Sequence, residues 1–262
     1  MIGKAPPLIA AVAVAGVAAF CQVGCGGGDS GGSEPDPGGV IDALRASVPL
    51  RVEVEPSPMP VSGPSYPLAT VRRGRTIALH SSPGGEVVDR VGDRTEFGST
   101  RVFWIEKTRG DWFGVPAPEL PGGRLGWIRD ERLALELSQT RFWITADVSE
   151  QQLQLRYGNR VLDRFPVSVG SPSSPTPLGD YAVTDGLVGR GLGPWYGCCV
   201  LALSGHQPNL PAGWIGGNRM AIHGAPGSVG GATSHGCLRA SDEDMISLFA
   251  RVPLGTPVFI RS

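Results

Sequence analysis

Alternating apolar and polar residues recur along most of the chain after residue 65, and such alternation predicts β-strands with one buried face. The clearest case is Gln152–Tyr157, which alternates throughout. Gly158-Asn159 follows, and then a second run, Arg160–Phe165. Two runs joined by a short Gly-containing turn predict a β-hairpin. Further strands are predicted at 75–79, 101–106, 112–115, 125–128, 141–147, 167–170, 199–203, 220–223 and 258–260.

One segment near the end has helical periodicity instead. Ser241 suits an N-cap position, and three acidic residues follow it where the first turn would lie. Apolar residues then recur at helical spacing until Pro253, and they are Met245, Leu248, Phe249 and Val252. The pattern as a whole predicts a mostly β protein with one clear helix.

The composition divides the 262 residues into four predicted parts. Residues 1–25 are predicted to be a signal peptide. Residues 26–65 form a Gly/Pro-rich linker, whose composition buries too little apolar surface to order itself. Residues 66–138 are predicted to form a small β-barrel, because short strands and turns follow one another closely. Residues 139–262 form the mostly β domain with the helix.

The first 25 residues predict export from the cytoplasm. Lys4 gives a positive start, and Leu8–Phe20 is an apolar run too short for a typical membrane span. Gly24-Cys25 and the polar, Gly-rich stretch after it resemble a bacterial lipoprotein box, although Gln22 departs from the usual aliphatic residue. Cys25 is therefore the predicted lipidation site. An uncleaved signal anchor and a plain secretory signal are alternatives, and each also places the protein outside the cytoplasmic membrane.

Two histidines and a cysteine lie within one short Gly-rich segment, as His223, His235 and Cys237. A thiolate is the reactive form of cysteine, and an imidazole can take the thiol proton and later return it to a leaving amine. The residue types leave other interpretations open. A lone cysteine is often a small buried hydrophobe and a lone histidine a structural group. The three side chains could also bind zinc, but only His80 and His206 remain as further histidines for a fourth ligand.

This segment resembles the active-site motif of the YkuD-type L,D-transpeptidase catalytic domain. The motif is a His at a strand end, a variable spacer and then Ser/Thr-His-Gly-Cys, and the chain has Ile222-His223-Gly224-Ala225-Pro226 followed by Ser234-His235-Gly236-Cys237. Pro175-Thr176-Pro177-Leu178-Gly179 is also typical of the family. The resemblance extends from about residue 141 to residue 262. It implies a β-sandwich-like catalytic domain.

The resemblance also implies roles for individual residues. Cys237 would be the nucleophile and His223 the general acid/base, with the Gly224 carbonyl orienting the His223 ring. His235 and Gly236 would line the oxyanion pocket, with the Gly236 and Cys237 backbone N–H groups as candidate donors. His235 would share a face with Cys237 if the backbone between them is extended. Two further residues are candidate substrate contacts, and they are Ser234 and Arg239.

The reaction implied is acyl transfer in the bacterial cell wall. A peptidoglycan stem tetrapeptide would acylate Cys237, and the amine of a second stem would resolve the thioester into a 3→3 cross-link, with no metal or other cofactor. A thiol L,D-carboxypeptidase or wall hydrolase would use water instead of the amine, and a non-catalytic wall-binding scaffold is the third alternative. The net charge of −1 gives no electrostatic argument for a nucleic-acid partner. The predicted partners are stem peptides and, through the N-terminus, the membrane.

The predicted barrel resembles bacterial Src-homology-3-like domains through the pair Trp112–Val115 and Leu125–Ile128. Three tryptophans could form a wall-binding face or, as the residue type favours, serve as half-buried core aromatics, and they are Trp104, Trp112 and Trp127.

Two adjacent cysteines lie outside the motif. Cys198 and Cys199 are predicted to be small strand residues that point to opposite faces, since a disulfide between neighbours is rare. His206 is predicted to be a loop residue. The Gly-rich stretches 186–193 and 208–218 are predicted loops that could cover the site.

Overall fold

The computed structural model describes residues 62–120, 124–215 and 217–262. Two predictions lie outside these residues: the export signal with Cys25, and all of the predicted linker before residue 62. None of the helices in the described part of the chain is long and apolar enough to cross a membrane.

The described residues are mostly strands, which confirms the predicted fold class. In chain order the strands are β1 Tyr66–Val71, β2 Thr76–His80, β3 Val87–Gly92, β4 Val102–Trp104, β5 Lys107–Arg109, β6 Trp112–Pro116, β7 Leu125–Arg129, β8 Leu135–Thr140, β9 Phe142–Asp147, β10 Gln152–Tyr157, β11 Arg160–Pro166, β12 Val169–Gly170, β13 Gly179–Val188, β14 Cys199–His206, β15 Arg219–Gly224, β16 Ala232–Ser234, β17 Leu238–Ala240 and β18 Pro257–Arg261. The α-helix is α1 Asp242–Arg251, and two 3-10 helices cover Gly189–Gly191 and Pro194–Tyr196.

The N-terminal strands form two antiparallel sheets around one apolar cluster. The larger sheet has the order β3-β2-β7-β6-β5, and the smaller has the order β4-β1-β8. Trp104 and Trp127 are buried and Trp112 is half-buried, with its ring edge-on to His80. Core packing, rather than a wall-binding face, is therefore the role that their burial favours. The Src-homology-3-like resemblance stays a prediction.

The C-terminal strands form one eight-stranded sheet in the order β11-β10-β9-β18-β13-β14-β15-β17. The predicted hairpin is present as β10 and β11, joined at Gly158-Asn159. β15 and β17 are parallel, and a two-stranded parallel sheet of β12 and β16 lies in the same part of the chain. Strand β14 is buried along almost its whole length, with α1 packed against it and against β15. A strand that is covered on both faces needs apolar side chains on both, which explains the nearly continuous apolar sequence of β14.

The predicted helix is confirmed as α1. Ser241 is the N-cap, and its Oγ accepts a hydrogen bond from the Asp244 backbone N–H at 3.1 Å. Met245 and Leu248 are its buried residues, and both belong to the core of the eight-stranded sheet. The helix fixes the chain that leaves β17, and with it the segment just before β17.

Two of the contacts between the N-terminal part and the eight-stranded sheet are an aromatic pair and an ion pair. Trp104 packs edge-on to Phe259 of β18, with ring centroids 5.5 Å apart. The Arg219 guanidinium, at the first residue of β15, forms an ion pair with Glu96 and donates to the Leu203 carbonyl at 2.8 Å. Leu203 lies where β14 departs from regular pairing with β15, so Arg219 satisfies a carbonyl near this irregularity.

Candidate active site

The parallel strands β15 and β17 bring the predicted catalytic pair together. His223 is the register partner of Arg239, and Cys237 is the residue just before β17. Register partners point to the same side of a sheet, and side chains two apart share a face. The Cys237 sulfur lies 4.0 Å from the Arg219 carbonyl oxygen, at the start of β15. The thiol therefore lies beside β15, the strand that carries the imidazole.

The His223 ring is buried and held in one tautomer. Its Nδ1 lies 2.6 Å from the Gly224 carbonyl oxygen, the contact that the resemblance implied. Because a carbonyl only accepts, Nδ1 carries the proton, and Nε2 of the neutral ring is left as the acceptor. Burial lowers the pKa of His223 to about 4; the Gly224 hydrogen bond opposes this shift and the Arg239 charge adds to it. The imidazole is therefore neutral at pH 7.

The Cys237 thiol is also neutral at rest. Burial raises its pKa, although the residue keeps some solvent exposure. A hydrogen bond from the Ala221 backbone and the charge of Arg239 both lower that pKa, but to a smaller extent. The site thus holds a thiol beside a neutral base rather than a preformed thiolate–imidazolium pair. Proton transfer has to accompany attack on a substrate.

The turn before the thiol is built by Ser234 and Gly236. The Ser234 hydroxyl donates to the Cys237 carbonyl at 2.6 Å and accepts from the Gly236 N–H at 3.0 Å. The Gly236 N–H, a candidate oxyanion donor, is therefore already engaged. The Cys237 N–H has no acceptor among the described residues and remains a candidate. The contacts of Ser234 are those of a turn-forming residue.

Position 236 requires glycine for two reasons, its backbone conformation and the side chain that lies next to it. Its φ is +110°, a conformation that L side chains rarely adopt. A Cβ at Gly236 would also overlap the amide of Gln207. Gln207 is buried and donates to the Pro175 carbonyl at 2.8 Å and to the His235 carbonyl at 3.3 Å. Sequence reasoning missed Gln207, because a glutamine in a Gly-rich loop gives no signal of its burial.

The condition under which His235 would share a face with Cys237, an extended backbone between them, is not met. The chain bends through residues 235–237, and the positive φ of Gly236 breaks the alternation on which the prediction rests. The His235 side chain is exposed, and its ring lies 4.9 Å from the Trp214 ring. The part of His235 that holds the loop is its backbone carbonyl, through Gln207.

Arg239 faces the same region from β17. Its guanidinium donates to the Thr233 hydroxyl, while its buried Nε has no partner within the described ranges. The charge of Arg239 lowers the pKa of both His223 and Cys237. Arg239 thus acts electrostatically on both members of the pair.

Tyr196 is a site residue that sequence reasoning missed. It ends the second 3-10 helix, and its ring centroid lies 5.0 Å from that of His223. Burial raises the pKa of the Tyr196 hydroxyl, and the neighbouring Cys237 raises it further. Tyr196 is therefore near both members of the predicted catalytic pair. An aromatic residue in a Gly-rich loop carries no periodic signal, and only the fold shows where its ring lies.

The prediction for Cys198 and Cys199 is wrong. The two residues form a disulfide with each other at the entry to β14. The sequence argument relied on the rarity of such bonds, which is a frequency and not a property of this chain.

The zinc alternative is not favoured by this arrangement. Across residues 62–120, 124–215 and 217–262, no group of three His, Cys, Asp or Glu side chains is placed to bind a metal ion. His206 lies at the end of β14, with its ring nitrogens 2.8 Å from Asn218 Oδ1 and 2.7 Å from the Pro118 carbonyl oxygen.

Residues 141–260 match the family model described as the L,D-transpeptidase catalytic domain, YkuD. The match covers the part of the chain in which the sequence motifs lie, and it confirms the resemblance of that part to the family.

The chain is similar to YkuD of Bacillus subtilis, named an L,D-transpeptidase, with 32% identity over 121 residues. That alignment covers 45% of this chain and 65% of YkuD, just under two thirds of the relative. YqjB of the same organism, also named an L,D-transpeptidase, is 29% identical over 129 residues, which are 45% of this chain and 70% of YqjB. Among solved structures, an L,D-transpeptidase from Mycobacterium smegmatis is 22% identical, with a TM-score of 0.37 over 55% of this chain and 76% of its own.

Proposed function

We propose that the protein is a cell-wall L,D-transpeptidase that works through a Cys237 thioester. The acyl donor is a peptidoglycan stem tetrapeptide, and the acceptor is an amine of a second stem, so the product is a 3→3 cross-link. The match of residues 141–260 to the YkuD family model supports the reaction class. The observation that carries the cysteine mechanism is the His223 tautomer. The bond from Nδ1–H to the Gly224 carbonyl leaves Nε2 unprotonated, and the pairing of β15 with β17 supports its nearness to the thiol.

The proposed acylation step uses the neutral pair as it stands. The Cys237 sulfur attacks the donor carbonyl while His223 Nε2 takes the thiol proton. The C–N bond to the terminal D-Ala then breaks, and the proton passes from Nε2 to the leaving amine. In the second half, the acceptor amine attacks the thioester, Nε2 takes a proton from that amine, and the thiol leaves and regains its proton.

Three charges develop during these steps, on the sulfur, the substrate oxygen and the imidazole, and we propose a group for each. The Arg239 guanidinium favours the anionic sulfur, since its charge lowers the thiol pKa. The free Cys237 N–H is the oxyanion donor that we propose, because the Gly236 N–H is held by Ser234. The Gly224 carbonyl stabilises the imidazolium through Nδ1–H.

A thiol L,D-carboxypeptidase or wall hydrolase would share every step except the last, in which water replaces the amine. A non-catalytic wall-binding scaffold would share none. The products formed therefore separate the three alternatives.

The test is incubation with purified tetrapeptide-containing muropeptides, followed by mass spectrometry of protein and products. We expect a thioester on Cys237, release of D-Ala and a cross-linked dimer. Cys237→Ala should form neither adduct nor product, and His223→Ala should lose about 10²–10⁴-fold in rate. Ser228→Ala, an exposed position in the same loop, is the matched control and should react normally. Tripeptide monomers without dimers would indicate the carboxypeptidase instead.

A second assay follows the acylation half alone. The family resemblance implies that carbapenem-type β-lactams acylate Cys237 and that classical penicillins do so poorly. The strained ring is an activated acyl donor, so the adduct needs no acceptor. An adduct mapped to Cys198 or Cys199, or no adduct on the wild-type protein, would contradict an activated Cys237.

The proposed reaction requires the protein to work outside the cytoplasmic membrane. We propose that the N-terminal segment exports it and that Cys25 carries a lipid anchor. Cys25→Ser should release the protein from membranes or leave it unprocessed. A mature N-terminus well beyond residue 26, or the absence of a lipid mass, would leave a secretory or anchor segment in its place.

A further inference from the structure

The Cys198–Cys199 disulfide lies directly against the candidate active site. Cys198 is partly exposed and Cys199 is buried at the first position of β14. The residue after it, Val200, is the register partner of His223 in β15. The disulfide is therefore within reach of a reductant on one side and packed beside the His223 strand on the other.

The first link from the disulfide to His223 runs through Asp242 and Gly224. The Cys198 N–H donates to the Asp242 carboxylate at 2.9 Å, and the Cys198 sulfur lies 3.5 Å from the Asp242 carbonyl oxygen. Both groups lie close to Gly224. A Cβ added to Gly224 would overlap the Asp242 carboxylate and come within 3.0 Å of the Cys198 nitrogen. The Gly224 carbonyl is the acceptor for His223 Nδ1–H. A shift of Cys198 would thus reach the group that fixes the tautomer.

The second link runs along the chain to Tyr196. Only Gly197 separates Tyr196 from Cys198, and the Cys198 carbonyl accepts from the Gly189 N–H at 2.9 Å. A Cβ on Gly189 would overlap the carbonyl oxygens of Tyr196 and Gly197, so this loop is closely packed. The Tyr196 ring, whose centroid lies 5.0 Å from that of His223, is placed by a segment that leads directly into the ring closed by the disulfide.

We propose that the Cys198–Cys199 disulfide is a redox-sensitive positioning element, and that its oxidised form holds Tyr196 and the Gly224 carbonyl in place around His223. This inference rests on the proposed function, because it concerns the same pair of reacting groups. Reduction breaks the sulfur–sulfur bond and leaves two thiols. A phosphine reductant supplies the two electrons and becomes a phosphine oxide with an oxygen from water, and water also supplies the two protons.

Loss of the bond opens the small ring formed by the two cysteines, so the peptide between them can rotate and Cys198 can shift, together with Gly197 and Tyr196 before it. Water then gains access to the His223 ring, and the base no longer keeps one orientation. Small misplacements of catalytic groups cost up to about 10²-fold in rate, so we expect reduction to slow reaction at Cys237 by about tenfold or more. The acidic limb of the pH profile should also move toward ordinary imidazole values, because desolvation is what lowers the His223 pKa.

Trypsin separates the cysteines in question, which makes the test direct. Cleavage after Arg190, Arg219 and Arg239 places the cysteine pair in peptide 191–219 and Cys237 in peptide 220–239. The full protein is prepared oxidised or reduced with a phosphine, freed of reductant, and treated with iodoacetamide at several pH values. The mass of peptide 191–219 gives the state of the pair, which is two hydrogens lighter when oxidised. The modified fraction of peptide 220–239 gives the reactivity of Cys237.

The control is the double variant Cys198→Ser/Cys199→Ser. It should resemble the reduced protein in rate and pH profile, and phosphine should leave it unchanged. Thermal unfolding of each sample separates loss of the fold from loss of positioning. The proposal is overturned if peptide 191–219 carries two thiols in the oxidised preparation. It is also overturned if reduction leaves both the alkylation rate and its pH profile unchanged. A redox-dependent alkylation rate without any transpeptidation would support the inference and contradict the proposed function instead.

Discussion

Burial of His223 should make the protein lose stability in mild acid. The pKa of the ring is about 4 in the folded protein, against about 6.5 for an exposed imidazole. A proton therefore binds the unfolded chain more tightly. The stability that comes from keeping this ring neutral is fully present above pH 6.5, and it is lost progressively as the pH falls toward 4.

The size of the effect follows from the two pKa values. Between pH 7 and pH 5 the unfolded chain takes up most of one proton at this position and the folded protein takes up little. This difference in bound protons lowers the free energy of unfolding by about 2 kcal/mol between pH 7 and pH 5. The loss reaches about 3 kcal/mol once the pH is below 4.

The substitution that isolates the contribution of His223 protonation to stability is His223→Asn. The Asn side chain can still donate a hydrogen bond to the Gly224 carbonyl, but it does not titrate. Urea unfolding of both proteins at pH 7 and pH 5, followed by tryptophan fluorescence, measures the free energies. We expect the wild-type protein to lose about 2 kcal/mol more than His223→Asn over this interval. Equal losses in the two proteins would show that the ring is solvated and would refute the argument for a neutral base.

Two further predictions concern the turn and the charge at the thiol. Gly236→Ala should lower the free energy of unfolding by roughly 1–3 kcal/mol more than Gly230→Ala does. Both glycines have positive φ, but only at Gly236 would a Cβ overlap Gln207. Similar losses of unfolding free energy in urea would show that this overlap is not the cause. Arg239→Gln should raise the pKa of Cys237 and of His223, because its charge lowers both. The pH dependence of iodoacetamide alkylation measures this shift, and an unchanged midpoint would mean that solvent screens the guanidinium.

The sequence predicts the features of this protein that depend on local periodicity. The β10–β11 hairpin and helix α1 with its Ser241 cap follow from patterns within a dozen residues, and the structure has both. The pairing of His223 with the Cys237 segment came from a motif. The parallel register of β15 and β17 now gives that pairing a physical basis.

What the sequence does not predict depends on contacts between distant segments. Gln207 lies behind the Gly236 turn because the end of β14 passes beneath it, and Tyr196 reaches His223 from a loop about thirty residues earlier. Neither side chain belongs to a periodic pattern. The i−2 argument for His235 failed because Gly236 can adopt a φ that ends the alternation. The Cys198–Cys199 disulfide was missed because the sequence argument relied on how seldom neighbouring cysteines are bonded, which says nothing about the backbone of this chain.

The contact at Arg219 limits how the protein can be divided. A fragment that begins near residue 141 would keep the motif, but its Arg219 would lose the Glu96 carboxylate and its Phe259 would lose the Trp104 ring. The backbone carbonyl of the same Arg219 lies 4.0 Å from the sulfur of Cys237, the proposed nucleophile. The excised domain would therefore carry a newly exposed apolar surface, and the cation at the first residue of β15 would keep Asp185 nearby but lose its ion pair with Glu96. Exchange of the N-terminal sheets for those of another protein would require replacements for the Glu96 carboxylate and the Trp104 ring, among other contacts.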